Sequence, residues 1–259
     1  MNEMPSRANV VVIGAGIVGN CLVGHLAKLG WTNMVLIDKG PLPSPGGSTG
    51  HASNFIFPTD HNKEMAVLTL ESQRQYEELG VNTTCGGIEV ARTEARMEEL
   101  RRRMTSAKAW GIEAKLLSPS EIKKEVPFIN EDIILGGFYT PSVSVVDSLR
   151  AGTLMREQAQ AKKALEVFAN TEVLDLEVEE SPFKRPRIKA VVTDRGRIEA
   201  DFVVIACGVW SPRIAKMAGA TIPLTPAVHQ MADVGPIEIL QETGNEIAYP
   251  IVRDMDTFM

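Results

Sequence analysis

The residues best suited to chemistry cluster near the N-terminus. Gly14-Ala15-Gly16-Ile17-Val18-Gly19 sets three glycines at the spacing G-x-G-x-x-G. In that pattern the first glycine allows a tight turn, the second lets a pyrophosphate approach the backbone, and the third lets a helix pack on a strand. Asp38 follows roughly 20 residues later, where an acid can hold a ribose 2′-hydroxyl. Lys39 beside it would suit a 2′-phosphate, but the acid disfavours one. A second feature is Pro45-Gly46-Gly47-Ser48-Thr49-Gly50-His51-Ala52. Its histidine is either a surface side chain that packs and hydrogen-bonds or a nucleophile, since neutral imidazole is competent near neutral pH. Cys21, Cys85 and Cys207 are odd in number, scattered and without metal-ligand spacing. They read as reduced thiols, with no metal site expected. Cys207 has no adjacent base and reads as an inert small residue.

These residues need elements to hold them. Val10 to Ile13 is a short β-branched run that suits a buried parallel strand. Leu22, Val23, Leu26, Ala27 and Leu29 recur at helical spacing, with Gly30 as the stop. Met34 to Ile37 is a second strand ending at Asp38. The glycine turn therefore sits in a strand, helix, strand and acid series, which predicts a dinucleotide site rather than an incidental turn. The Pro- and Gly-rich stretch from Lys39 to Ala52 forbids regular structure and reads as a functional loop.

Further along, Lys63 to Leu79 reads as an amphipathic helix with Met65, Leu68, Leu70 and Tyr76 as candidate core. Gly86 to Ala91 and Gly136 to Tyr139 read as strands. Glu94 to about Trp110 reads as a charged helix, and Ser118-Pro119 as a helix start with Ser118 at the N-cap. A helix is expected from Val146 to about Ala164, then strands at Glu172–Val178, Lys189–Thr193 and Asp201–Ala206, the last running into Gly208, Trp210 and a helix. From Ile222 the pattern turns extended. The block from 85 to 144 breaks the βαβ rhythm. Residues 1–84 and 145–221 are therefore assigned to one discontinuous Rossmann-like domain, and 85–144 with 222–259 to part of an inserted α+β domain.

Composition excludes several classes. The 259 residues, 44% hydrophobic, suffice for a sizeable core. Net charge is -6, and the basic run Arg101-Arg102-Arg103 lies among acids on a predicted helix. That reads as a solvated face, not a nucleic-acid surface. No stretch suits a membrane span, and the N-terminal apolar run reaches Gly14 too soon for a signal peptide, so a cytoplasmic protein is expected.

The chain resembles the D-amino-acid-oxidase-like flavoproteins, within them the dimethylglycine oxidase, dimethylglycine dehydrogenase and sarcosine dehydrogenase branch. The resemblance rests on the glycine fingerprint, the Ser48-Thr49-x-His51-Ala52 loop and Ala109-Trp110-Gly111-Ile112. It also rests on Gly136-Gly137-Phe138-Tyr139-x-Pro141, Val203-Val204-x-Ala206-x-Gly208-x-Trp210, Ala227-Val228-His229-Gln230 and Pro250-Ile251-Val252-Arg253. It implies an α/β fold, a Rossmann-like FAD-binding domain with an inserted α+β substrate domain. It also implies FAD joined covalently through His51. Ser53-Asn54 stands where the branch has Pro-Gly or Ala-Gly, and noncovalent FAD is the alternative.

Position by position, the resemblance places Gly14, Gly16, Ile17, Val18 and Gly19 under the pyrophosphate and Asp38 and Lys39 at the ribose. Ser48, Thr49, Gly50, His51 and Phe55 match the loop over the flavin, Val173 a backbone contact to adenine, and Ala206, Gly208 and Trp210 the flavin-side strand end. His229 matches the branch's active-site histidine; a satisfied core histidine is the competing reading. Arg253 is a candidate for the substrate carboxylate, or else an exposed arginine or a structural ion pair. Tyr139 and Tyr249 read as packing.

The implied reaction is oxidation of a small N-methyl amino acid by hydride transfer to flavin, with oxygen or an electron-transfer flavoprotein as acceptor. The family pattern continues beyond Met259, so the chain is expected to be C-terminally incomplete. Tetrahydrofolate would bind only in a downstream domain. The alternatives are a glycine-oxidase-like enzyme, a regulatory homologue that has lost catalysis, and an NAD-dependent dehydrogenase.

Overall fold

The computed structural model describes residues 3–181, 184–228, 230–232, 234–241 and 247–255. The first half of the chain forms β1 (Arg7–Ile13), α1 (Ile17–Lys28), β2 (Met34–Ile37), β3 (Phe55–Ile56), α2 (Lys63–Glu78), β4 (Asn82–Thr84), β5 (Gly87–Ala91), α3 (Glu94–Trp110), β6 (Lys115–Leu117) and α4 (Pro119–Glu125). The second half forms β7 (Gly136–Thr140), β8 (Ser144–Val146), α5 (Ser148–Ala161), β9 (Leu165–Phe168), β10 (Val173–Ser181), β11 (Lys184–Thr193), β12 (Gly196–Ile205), α6 (Ser211–Met217), α7 (Glu238–Gln241) and β13 (Ile251–Asp254). Single 3-10 turns lie at Ser48–His51, Glu131–Ile133 and Gly208–Trp210.

Contacts group the chain into two compact units, residues 1–53 with 148–229 and residues 54–147 with 230–259. In the first, the sheet order is β10-β11-β12-β1-β2-β9, with β12, β1, β2 and β9 parallel and the β10-β11-β12 part antiparallel. Alternation along β1 and β2 explains why both strands are apolar throughout. Val11, Ile13, Val35 and Ile37 pack on one face with Phe168, Leu176, Val191 and Ile198, beside Ile214 and Met217 of α6. Val10, Val12, Met34 and Leu36 pack on the other against Val23 and Ala27 of α1 and Ala159 of α5. Burial of each such side chain contributes roughly 1.5–3 kcal/mol. The helix expected to run to Ala164 stops at Ala161, and Leu165–Phe168 forms the edge strand β9 instead. Four residues with one charge among them carry too little periodicity to separate strand from helix.

In the second unit one sheet runs β13-β5-β7-β6 and a smaller one β3-β8-β4. Along β5, Ile88 and Val90 pack towards Ile122 of α4, and Ala91 towards Met97, Leu100 and Ala107 of α3. Ser118 caps α4 in a full capping box with Glu121, and Pro119 occupies the first turn. Glu89, 1% exposed, meets Arg103 of α3 at 2.9 Å. Arg103 is thus buried, whereas Arg102 of the same basic run pairs with Glu98 at the surface. Helix α2 departs from the expected orientation. Ala66 and Gln73 face inward, with Gln73 donating to the Ser142 carbonyl and the Ser144 hydroxyl. Met65, Leu68 and Leu70 are exposed.

Candidate functional site

The glycine turn closes the C-terminal end of β1. Gly14 has φ +107°, and a Cβ on it would lie 2.4 Å from the Ala206 carbonyl oxygen. A Cβ on Gly19 would lie 1.9 Å from the Gly14 carbonyl oxygen. These two positions admit only glycine, because backbone occupies the space. At Gly16, the start of α1, the nearest atom to an added Cβ is the Thr49 hydroxyl, 3.2 Å away.

Three polar groups converge here. Asp38 accepts from the Ala15 N–H at 2.7 Å with one carboxylate oxygen and from the Gly40 N–H at 2.8 Å with the other. It ties the turn to the end of β2, and each oxygen keeps a lone pair for a further donor. Thr49 accepts from the Ile17 N–H at 2.9 Å, which leaves its own O–H to donate. Its carbonyl accepts from the Ser148 hydroxyl at 2.8 Å, so the 3-10 turn carrying Ser48, Thr49, Gly50 and His51 is held against the N-terminus of α1. The positive end of α1 favours an anion at this point.

Around this centre, Val18 is exposed on the first turn of α1, and Lys39 places Nζ 5.9 Å from the ring centre of Trp210. A Cβ on Gly47 would lie 3.7 Å from the same ring. Gly208 takes φ +51° in the turn leading to Trp210. His51 is exposed at the end of its turn. Val173 opens β10 and buries its side chain in the core. Cys207 donates to the Ile13 carbonyl at 3.1 Å, and its pKa is pushed up to about 11 by burial first and the Asp38 charge second.

In the second unit an open cavity of about 440 Å³ is lined by Phe55, Phe57, Asp60, Met65, Leu68, Tyr76 and Arg253, among others. The Arg253 guanidinium lies 5.1 Å from the ring centre of Phe57. Among the described residues it has no ion-pair partner. The exposed Met65 and Leu68 of α2 therefore line a cavity. Tyr249 packs edge-on against Phe128, and Tyr139 stacks under Lys115. His229 lies outside the described residues. Phe57 and Asp60 escaped the sequence reading and Tyr76 reads there only as candidate core, because only the pairing of β13 with β5 and the turn of α2 bring them beside Arg253.

The family model "FAD dependent oxidoreductase" matches residues 9–259, and the chain belongs to that family. It is 35% identical over 261 residues to mitochondrial sarcosine dehydrogenase of Mus musculus, covering 98% of this chain and 27% of that enzyme. It is 29% identical over 264 residues to mitochondrial dimethylglycine dehydrogenase of Rattus norvegicus, covering 98% of this chain and 29% of that enzyme. Among solved structures, L-proline dehydrogenase from P. horikoshii matches with a TM-score of 0.75 at 25% identity, covering 83% of this chain and 57% of that one. The chain thus spans less than a third of the curated relatives' length.

The residues fit FAD. Gly16 carries no side chain at the N-terminus of α1, the Thr49 O–H is available to donate, and Asp38 stands at the strand end. No helix among the described residues is long and apolar enough to cross a membrane, and no group of acids, histidines and cysteines there could hold a metal.

Proposed function

We propose that this chain carries the FAD-binding and part of the substrate-binding apparatus of an enzyme that oxidises the N-methyl group of a small N-methyl amino acid, sarcosine or dimethylglycine. The observation that carries the substrate class is Arg253. A guanidinium without an ion-pair partner among the described residues, backed by Phe57 in a cavity otherwise rich in apolar and aromatic side chains, suits one carboxylate attached to a small methylated amine. Asp60 on the same cavity offers a carboxylate to the amine end.

In this reading residues 1–84 and 145–221 form the FAD-binding domain, and 85–144 with 222–259 the partial substrate domain. Gly14, Gly16, Ile17, Val18, Gly19 and Thr49 hold the diphosphate. Asp38 and Lys39 face the ribose, and Val173 meets adenine through its backbone. Ser48, Gly50, His51, Phe55, Ala206, Gly208 and Trp210 meet the flavin. When bound, FAD supplies the acceptor for the hydride that leaves the N-methyl carbon. Arg253 fixes the carboxylate, and His229 takes the amine proton so that the nitrogen lone pair is free to assist. The resulting iminium is hydrolysed, and its capture by tetrahydrofolate belongs to this reading only for a longer chain. His51, exposed on its turn, is the attachment point for the flavin. Electrons pass on to oxygen or to an electron-transfer flavoprotein. The free thiols suit a reducing compartment such as the cytoplasm, although the relatives named above are mitochondrial.

The experiment is acid precipitation followed by tryptic mass spectrometry, with sarcosine, dimethylglycine and glycine offered as substrates to the protein in its longest native form. Flavin on the His51 peptide and turnover of the N-methylated compounds are expected. Flavin released to the supernatant with glycine as the preferred substrate would favour the glycine-oxidase-like alternative. Arg253→Met should raise KM at least about tenfold with a smaller change in kcat, since it removes a charge-assisted contact made before and during the reaction.

A further inference from the structure

Between α1 and α5 lie polar groups that the reading above leaves unused. Asn20 is 4% exposed and Arg156 is 7% exposed. The Asn20 amide donates through Nδ2 to the Ala15 carbonyl at 2.7 Å and accepts through Oδ1 from Arg156 Nη1 at 3.2 Å. Arg156 also reaches the Thr153 hydroxyl at 3.4 Å. Among the described residues no carboxylate stands within ion-pair distance of this guanidinium. Burial lowers its pKa from the ordinary arginine value, and the Glu157 charge offsets this only in part. A buried charge left so is costly unless a counter-charge arrives from elsewhere.

The helices are shaped to hold this pair. A Cβ on Gly152 of α5 would lie 2.9 Å from Asn20 Nδ2, and one on Gly24 of α1 would lie 3.1 Å from the Met155 Cβ. Close approach at both glycines lets Asn20 reach back under the glycine turn. Its bond to the Ala15 carbonyl has a directional consequence. The Ala15–Gly16 peptide is trans, so its C=O and N–H point in opposite directions. Drawing the carbonyl inward to Asn20 turns the Gly16 N–H outward, to the side where a turn of successive N–H groups receives an anion.

We propose that Arg156, acting through Asn20, is a positioning residue for the dinucleotide diphosphate. It locks the Ala15–Gly16 peptide with its N–H towards the anion, and the diphosphate adds negative charge beside a guanidinium that has no ion-pair contact among the described residues. This rests on the assignment of the glycine turn to FAD.

The test uses the full chain freed of flavin and three probes: FAD, followed by flavin fluorescence, and ADP and adenosine, followed by calorimetry. ADP carries the diphosphate and adenosine does not. Arg156→Met is expected to weaken FAD and ADP about tenfold, a loss of about 1.4 kcal/mol, with adenosine unchanged and a shallower salt dependence for ADP. Arg156→Lys keeps the charge and should recover most of the ADP affinity. Arg156→Gln carries the same comparison should the Met variant fail to fold. Equal weakening of ADP and adenosine, or of neither, overturns the role of Arg156 and leaves the dinucleotide site standing. A wild-type chain that binds neither ADP nor FAD overturns the site assignment and the role together.

Discussion

The Cys207 thiol sits beside the glycine turn, yet its surroundings disarm it. It donates to the Ile13 carbonyl, and burial with the nearby Asp38 charge holds its pKa at about 11. Iodoacetamide at pH 8 should therefore alkylate Cys207 in the folded chain at least about tenfold more slowly than in the unfolded one, since only thiolate reacts. Peptide mass spectrometry over time checks this, and equal rates would remove the argument. Asn54 shows a different economy. It takes φ 60° where the family pattern has glycine. Asparagine tolerates the left-handed region better than other residues with a Cβ. Asn54→Gly should change stability by less than about 0.5 kcal/mol, whereas Asn54→Val should cost about 2 kcal/mol in urea unfolding.

At the scale of elements, two glycines with similar sequence surroundings differ in what they protect. Gly19 lets α1 lie on the turn, and a Cβ there would overlap the Gly14 carbonyl. Gly30 ends the helix at φ +90° with open space around it. Gly19→Ala should abolish FAD retention, while Gly30→Ala should cost about 1 kcal/mol and leave flavin binding intact. Flavin fluorescence and unfolding curves separate the two. The contact between α3 and β5 depends on a buried charge pair. Arg103 holds Glu89 through Nη1 and reaches Glu99 with its remaining donors. Arg103→Met should cost about 3–5 kcal/mol by stranding the Glu89 carboxylate, and pairing it with Glu89→Leu should recover most of that loss. Additive losses in the double variant would contradict the account.

For the whole molecule, the glycine turn, Asp38 and the loop through His51, which the proposed function gives to FAD, belong to the compact unit of residues 1–53 and 148–229. A ligand that binds only the folded state raises stability by mass action, about 2.7 kcal/mol at one hundred times its Kd. FAD should raise Tm in a concentration-dependent way. In hydrogen exchange its protection should concentrate in β1, α1, β2 and the loop through His51. Protection confined to residues 54–147 would place the dinucleotide elsewhere.

Much of this architecture was legible locally. The β1–turn–α1–β2 series, the limits of α3, the Ser118 cap and the second half of β12, expected at Asp201–Ala206, follow from glycine spacing, periodicity and capping chemistry, all set by residues within a few positions of one another. The family, too, could be read from short motifs. What was not legible depends on partners distant in the chain. Helix α2 shows an apolar stripe, but Ala66 is the residue that packs with Ala91, Leu100 and Phe138, and Gln73 turns inward because the Ser142 carbonyl and Ser144 hydroxyl offer it hydrogen bonds. The run Arg101 to Arg103 reads as solvated until Glu89 on β5 draws one member inside. Asn20 and Arg156, 136 residues apart, become neighbours only when α1 packs on α5. Periodicity and motif reveal what a segment can form, while the choice of buried face and of partner is made by long-range packing.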